Sequence, residues 1–347
     1  MKKGGMVTID GRHGEGGGQI LRTALTLSAI LGIPLRVHHI RGNREKPGLR
    51  PQHLTAVNAL ARITGARVEG ARVNSSELTL VPGKIEAGTY SFEIGTAGST
   101  GLALQTVIPV LLYGKTPSQV EISGGTHVPW SPPFHYLQSI FAPVLENMGA
   151  TVSLEIKQWG WYPRGGGRVR AIIENARGLG ALHLSNRGEL VNLHLLSAVS
   201  NLPLSIAERQ RDQALKRIEH LGLGPSISMV DAHSPGQGTF IFLAAEFEGT
   251  KGGFTSLGRR GKSAEAVADE ACDKLLRFLD GNGAVDRHLA DQLVLYMALA
   301  KGRSTIVAET ITEHLLTNIW VIEQFAPVGF DTDQKTGTVA VNGIGLE

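Results

Sequence analysis

SAILGIPLRVHHI, residues 28–40, decides the fold, because the chain repeats its plan twice more. The second copy is VLLYGKTPSQVEIS, residues 110–123, and the third is MALAKGRSTIVAE, residues 297–309. Each reads as the end of a helix, a glycine stop (Gly32, Gly114, Gly302) and a short β-branched strand. A polar or Gly/Pro-rich loop follows, then a second amphipathic helix, expected over residues 52–64, 134–148 and about 313–325. The first two of these run into Gly65 and Gly149 and then into ARVEG and ATVSLEI. The third ends near Ala326-Pro327 and enters VGFDTD. Further strands are expected at 77–81, 90–94 and 168–173. The implied unit is strand, helix, strand, helix, then more strands, with both helices on one face of an open sheet.

The spacing of the three copies is uneven. The third lies further from the second than the second from the first by about one hundred residues, the size of a small domain. That excess falls at 184–282. It reads as a strand (190–199), a helix (204–221), strands (226–230 and 239–245) and a helix (263–279), with Gly281-Asn282-Gly283 as the exit linker. The expected class is therefore α/β (α+β): three tandem two-helix, four-stranded units forming a large domain from 1–183 and 283–347, and a smaller inserted α/β domain from 184–282.

Composition narrows the function. Of 347 residues, 42% are hydrophobic and 19% charged, a globular balance. The net charge of +3 suits a phosphate-bearing partner without demanding one. Aromatics at 5% argue against a wide base-stacking platform. A lone cysteine, Cys272, can build neither a disulfide framework nor a zinc site, so a reducing, cytoplasmic setting is expected. Residues 1–6 carry two lysines but no apolar run, unlike a signal peptide. The most apolar stretch, 102–113, is too short to span a bilayer and contains Gln105 and Pro109, so no membrane partner is expected.

Four motifs carry candidate chemistry. Asp10 to Gln19, DGRHGEGGGQ, follows a short strand and opens a helix. Its glycines permit close backbone approach and its free N–H groups attract anions. Glu15 is placed to hold a divalent cation, and Arg22, one turn on, to face a phosphate. A glycine-rich turn capping a core helix explains the pattern equally well. Arg41 to His53, RGNREKPGLRPQH, sets four cations in a loop before a helix, and paired arginines bind phosphate bidentately; a solvated surface loop is the alternative. His288 to Gln292, HLADQ, opens an apolar helix, with Asp291 and Gln292 in its first turn, where an acid suits the dipole. In TITEHLLTN, 310–318, Thr310 and Glu313 fit a capping box, with Thr312 a rival cap. Either cap puts His314 in the first turn, where the positive helix end favours a neutral, nucleophilic imidazole and an approaching phosphate. A structural histidine remains the alternative. Gly258 to Ser263, GRRGKS, lacks the glycine spacing of a phosphate-binding loop and reads as a surface turn with Ser263 capping a helix.

Taken together the segments resemble the RNA 3'-terminal phosphate cyclase family. The likeness rests on GEGGGQILR (14–22), the Arg41/Arg44 pair with KPGLRPQHL (46–54), and GTAGST with LQT (95–106). It continues through SGGTHVPWSPP (123–133), YPRGGG (162–167), HLADQLVLYMALA (288–300) and EHLLTNIWVIEQF (313–325). It implies a ligase that converts an RNA 3'-phosphate to a 2',3'-cyclic phosphate, consuming ATP and releasing AMP and pyrophosphate. It implies that His314 becomes AMP-linked and that AMP then passes to the RNA 3'-phosphate. Gln105, His288, Leu289, Ala290, Asp291 and Gln292 would form the adenylate pocket. Arg22, Arg41, Arg44, Gln52 and His53 would hold the triphosphate or the RNA end, and Glu15 the magnesium or manganese. A homodimer is left open. Two rivals are a non-catalytic relative in ribosome assembly, a branch that lacks the histidine, and an enolpyruvyl transferase, built from six such units without an insert.

Overall fold

The computed structural model describes residues 5–347; the first four positions of the stretch read as lacking a leader lie outside it. The first unit runs β1 (Val7–Asp10), α1 (Gly18–Leu31), β2 (Leu35–His38), α2 (Pro51–Thr64), β3 (Arg67–Glu69) and β4 (Leu78–Val81). Its sheet has the order β1-β2-β4-β3. β1 and β2 are parallel, with Val7 opposite Leu35, as the α1 crossover requires, and β4 returns antiparallel between β2 and β3.

The second unit repeats this plan with β5 (Thr89–Glu93), α3 (Thr100–Leu111), β6 (Ser118–Gly124), α4 (Phe134–Tyr136), α5 (Ala142–Asn147), β7 (Val152–Gln158) and β8 (Gly167–Ile173), in sheet order β5-β6-β8-β7. A π-helical turn, Leu137–Phe141, joins α4 to α5 where Pro143 cannot donate to the helix ladder. The third unit opens with β9 (His183–Leu184) and is completed far downstream.

Between β9 and that completion stand β10 (Leu190–Ser200), α6 (Leu204–Ile218), β11 (Ser226–Asp231), β12 (Gly238–Phe247), β13 (Lys251–Leu257) and α7 (Ala264–Asp280), whose own sheet runs β11-β10-β12-β13. The third unit then resumes with α8 (Arg287–Leu299), β14 (Lys301–Val307), α9 (Glu313–Phe325), β15 (Phe330–Asp333) and β16 (Thr338–Ile344). Its sheet, β9-β14-β16-β15, has the same first-second-fourth-third order as the other two.

β12 shows why this middle sheet reads as an unbroken apolar run. Ile241 and Leu243 join a core with α7 residues Val267, Cys272 and Phe278, while Phe240 and Phe242 join the main core on the other face. A sheet covered on both sides needs apolar residues at every position. Arg187 pins the entry to the exit of this segment. Its guanidinium donates to the carbonyls of Phe278, Leu279 and Gly283 and lies over the Phe247 and Phe278 rings.

α1 is the hub. It packs on α2, α3 and α9, and its residues from Gln19 to Ala29 are nearly all buried, which an all-round apolar helix demands. Among the described residues no helix is long and apolar enough to cross a membrane.

Several expectations need correction. Gly32 and Gly65 do end helices in the left-handed conformation, at φ 67° and 63°. Gly114 instead closes a turn after α3, and Gly302 lies inside β14, α8 having ended on an extended Ala300. The helix expected to reach residue 221 is α-helical only to Ile218, tightening to a 3-10 turn beyond it. β13 is a strand for which the sequence raises no expectation, since KGGFTSL carries two adjacent glycines after its first lysine and shows no alternation. Ser263 does cap α7, accepting from the Ala266 N–H.

Candidate active site

The hub arrangement brings helix N-termini together. α1 begins at Gly18 with Gly17 as its cap, so no side chain satisfies its first N–H groups and no acid stands in its first turn. Those free donors and the aligned dipole make an anion-binding end. Gly18 is required by what faces it: a methyl there would collide with Nε2 of His53, in the first turn of α2. Gln52, beside it, accepts from the backbone N–H of Ser99, the cap of α3. The glycine-rich loop is walled on one side by α9, with His13 stacked on Trp320 at 3.7 Å and Thr317 against Gly14. On the other side Asn43 and Arg44 press on Gly16 and Gly17.

α8 and α9 complete the cluster. The cap of α9 is Thr312, accepting from the Leu315 N–H, which leaves Thr310 outside the helix and corrects the capping box. His314 is the second helical residue under that cap, as expected. Its Nδ1 lies 2.6 Å from Oδ2 of Asp291. Asp291 is not in the first turn of α8: Asp286 is the cap, accepting from the His288 and Leu289 N–H groups, and Asp291 stands a turn further in. The carboxylate thus fixes which ring nitrogen of His314 holds the proton and leaves Nε2 free, the orienting role of the acid in a catalytic triad. The His314 side chain is 36% exposed, so reagents can reach it.

Two residues that close their motifs without an assigned role lock the helices. Gln19 donates to the His314 carbonyl at 3.0 Å. Asn318 accepts from Thr23 and donates to the Asp291 carbonyl, both at 2.6 Å, and so ties α1, α8 and α9 through one amide. The sequence carried a signal for both: Gln19/Thr23 and His314/Asn318 are polar pairs four apart on otherwise apolar helices, and so share a helix face.

A cavity of about 50 Å³ opens between α1, α3 and α8, lined by Arg22, Gln105, Asp291, Gln292, Tyr296 and Asn318 among others. The buried Oε1 atoms of Gln19 and Gln292 and the hydroxyl of Tyr296, all in its lining, have no protein partner. Orphaned buried acceptors are rare in folded proteins and point to a ligand or water there. Burial draws the Arg22 guanidinium down to about 10 against the attraction of Asp291. Burial, then the charges of Arg22, Arg41 and Arg50, hold His53 down to about 3, so its ring is neutral. Its Nδ1 accepts from the Arg50 N–H, which leaves the proton on Nε2 toward Gly18.

The remaining candidates divide. Arg41 spends its Nη1 on the Lys46 and Gly48 carbonyls and shapes its own loop. Arg44 lies 3.4 Å from Glu15, both side chains in solvent. The Leu289 and Ala290 side chains are wholly buried in the main core, and His288 presents its carbonyl to Gln292.

Against this geometry, comparison with known proteins is decisive. The family profile described as RNA 3'-terminal phosphate cyclase matches residues 13–332. The chain belongs to the RNA 3'-terminal phosphate cyclase family. It is similar to the RNA 3'-terminal phosphate cyclase of Pyrobaculum aerophilum, at 45% identity over 98% of this chain and 99% of the relative. It is similar to that of Ralstonia nicotianae, at 47% over 93% and 92%, and to that of Methylococcus capsulatus, at 42% over 97% of each. The enzyme class implied by the order of the motifs is thus the one its relatives carry. Among solved structures, the enolpyruvyl transferase NikO from Streptomyces tendae overlays 99% of this chain and 49% of its own, at 11% identity and a TM-score of 0.42.

Proposed function

We propose that this cleft uses ATP to convert the 3'-phosphate of RNA to a 2',3'-cyclic phosphate through an AMP-linked His314. The observation that carries the reading is the Asp291–His314 pair at the meeting of helix N-termini. Nε2 of His314 attacks the α-phosphorus of ATP; a P–N bond forms and the bond to pyrophosphate breaks. An oxygen of the RNA 3'-phosphate then attacks the same phosphorus, and the P–N electron pair returns to the ring. The RNA end is now an anhydride with AMP. The vicinal 2'-OH attacks the RNA phosphorus, loses its proton, and AMP departs. Two covalent steps replace one difficult displacement.

The residues divide the work. The uncapped start of α1 and Arg22 face the polyphosphate, and Arg44, Gln52 and His53 line the approach of the RNA end. Gln105, Asp291 and Gln292 border the small cavity. At about 50 Å³ it admits a water or two and no nucleotide, so the nucleotide lies across its mouth. A divalent cation, magnesium or manganese, would be held by Glu15, whose half-exposed carboxylate beside Arg44 would leave the ion's other positions to phosphates and water. Such an ion neutralises polyphosphate charge. Residues 184–282 are an inserted domain on this reading. The protein is cytoplasmic, with Cys272 buried and its thiol pushed up to about 12, hence inert.

The test is covalent labelling. With α-labelled ATP and magnesium or manganese the protein acquires an acid-labile AMP adduct that His314→Ala abolishes. An RNA 3'-phosphate becomes phosphatase-resistant only when ATP is present. A variant lacking His314 that labels as the wild type does would sink the mechanism.

A further inference from the structure

A second cavity, about 1260 Å³, lies away from the cleft, between loops of the second unit and the face of the middle sheet that carries the start of α6 and the turn after β13. Among the described residues no Asp or Glu lines it, while Arg164, Arg209, Arg259, Arg260 and Lys262 do. Arg209 and Lys262 are paired with Glu265 and Glu270. Arg164, Arg259 and Arg260 are exposed and, among the described residues, without a carboxylate partner. Trp130, the chain neighbour of Pro129 in its lining, stands 95% exposed on a backbone at φ 58°, and Tyr162, itself in the lining, is 64% exposed. Large aromatic rings held in water have no use in packing this chain, and Tyr162 shares the lining with the three unpaired arginines.

The groove is preformed. Its floor is an interlocked aromatic cluster in which His127 stacks on Trp159 at 4.2 Å, with Trp161 from the same unit and Phe240 from β12 packed around it. It also leads to the cleft. Gly165, next to Arg164, packs directly on Thr96 and Ala97, and the same loop ends at Ser99, whose N–H is held by Gln52 at the start of α2. A strand anchored in the cleft by its 3' end has a continuous protein surface along this loop into the groove.

We propose that the groove binds the single-stranded RNA leading to the 3' end. Bases stack on Trp130 and Tyr162, and phosphates pair with Arg164, Arg259 and Arg260. Stacking on exposed rings with arginine at the backbone is sequence-tolerant recognition, and two rings set a footprint of a few nucleotides. The inference rests on the function proposed above. It also gives the turn 258–263, which reads in sequence as a surface loop, a ligand.

Binding and turnover are tested separately. Anisotropy of a labelled RNA dodecamer ending in 3'-OH, which cannot react, reports the groove alone. Trp130→Ala and the double variant Arg259→Ala/Arg260→Ala each weaken binding about tenfold. The double variant also flattens the log–log salt dependence by about 1.4, two phosphate contacts' worth for a single strand. In turnover, the ratio of KM for a 3'-phosphorylated dodecamer to that for a 3'-phosphorylated dinucleotide rises in both variants. These side chains lie in solvent, so their loss leaves the core intact. Dodecamer binding equal to wild type, or equal losses on both lengths, overturns the proposal. A wild type that binds the dodecamer through these residues yet cyclises nothing keeps the groove and refutes the proposed function. One that cyclises while both variants bind normally does the reverse.

Discussion

Asp291→Asn keeps the shape of the side chain and removes its charge 2.6 Å from Nδ1 of His314. In the proposed mechanism the imidazole takes on positive charge as Nε2 bonds to phosphorus, and an adjacent carboxylate stabilises that state more than the neutral ground state. Only such a differential interaction changes the rate. A charge-assisted hydrogen bond is worth about 1.5–3 kcal/mol. The pair is only partly shielded, with Asp291 15% and His314 36% exposed, so solvent screening argues for the middle of that range. About 2 kcal/mol corresponds to roughly a 30-fold slower adenylation step. The amide still accepts from Nδ1 in one rotamer, and the backbone carbonyl of Asp291 still receives Asn318, so the fold is unaffected. The assay is a single-turnover quench with saturating α-labelled ATP, following the acid-labile adduct, with circular dichroism as the fold control. Adenylation within about twofold of wild type would refute the reasoning that Asp291 orients and stabilises the ring.

Asn318→Ala removes one buried and one part-buried hydrogen bond and orphans Thr23, so the urea unfolding free energy is expected to fall by about 2–4 kcal/mol; a loss below about 1 would mean that the three helices are held together by packing alone. Burial depresses His53 to about 3, His135 to about 4 and His127 well below its usual value. Below about pH 6.5 the unfolded chain therefore binds protons that the folded chain refuses, and stability is present above that pH and lost as it falls toward about 4, at up to about 1.4 kcal/mol per pH unit per histidine. His135→Gln should flatten this slope in urea titrations across that window, and an unchanged slope would contradict the assignment. Arg187→Met keeps an apolar stem near Phe247 and Phe278 but frees three carbonyls; hydrogen exchange should accelerate at 278–284 with little change in α1, whereas uniform protection would deny the clamp.

The repeat was legible because each unit contains its own local signals: glycine ends for α1 and α2, β-branched strands, and one apolar helix face after another. The excess spacing before the third copy corresponds in the structure to a separate sheet lying between β9 and α8, since a strand of two residues is enough to start the third unit and gives no signal of its own. Local caps are less legible than the repeat. Thr312 prevails over Thr310, and Asp286 caps α8 and so sets Asp291 beyond the first turn, because a cap is chosen by where the chain turns and that is decided by packing. Within the HLADQ motif helical periodicity turns the Leu289 and Ala290 side chains into the core while Asp291 faces His314.

The site itself lies at the limit of what a sequence states. Its decisive contact joins positions 23 residues apart on two helices, and its lock joins residues 295 apart. What makes those distances irrelevant is α1. Being apolar nearly all round, it must be buried, and burying it requires helices from all three units to pack against it. Its own start is the glycine-rich loop, where side chains are excluded by Thr317, Asn43, Arg44 and His53 in turn. The hub that organises the core therefore also sets an uncapped helix end beside His314. Stability and chemistry share one element here. Mutations that loosen α1 should reduce adenylation before they reduce folding, since the His314–Asp291 geometry depends on hydrogen bonds at its first two turns while its burial depends on its whole length.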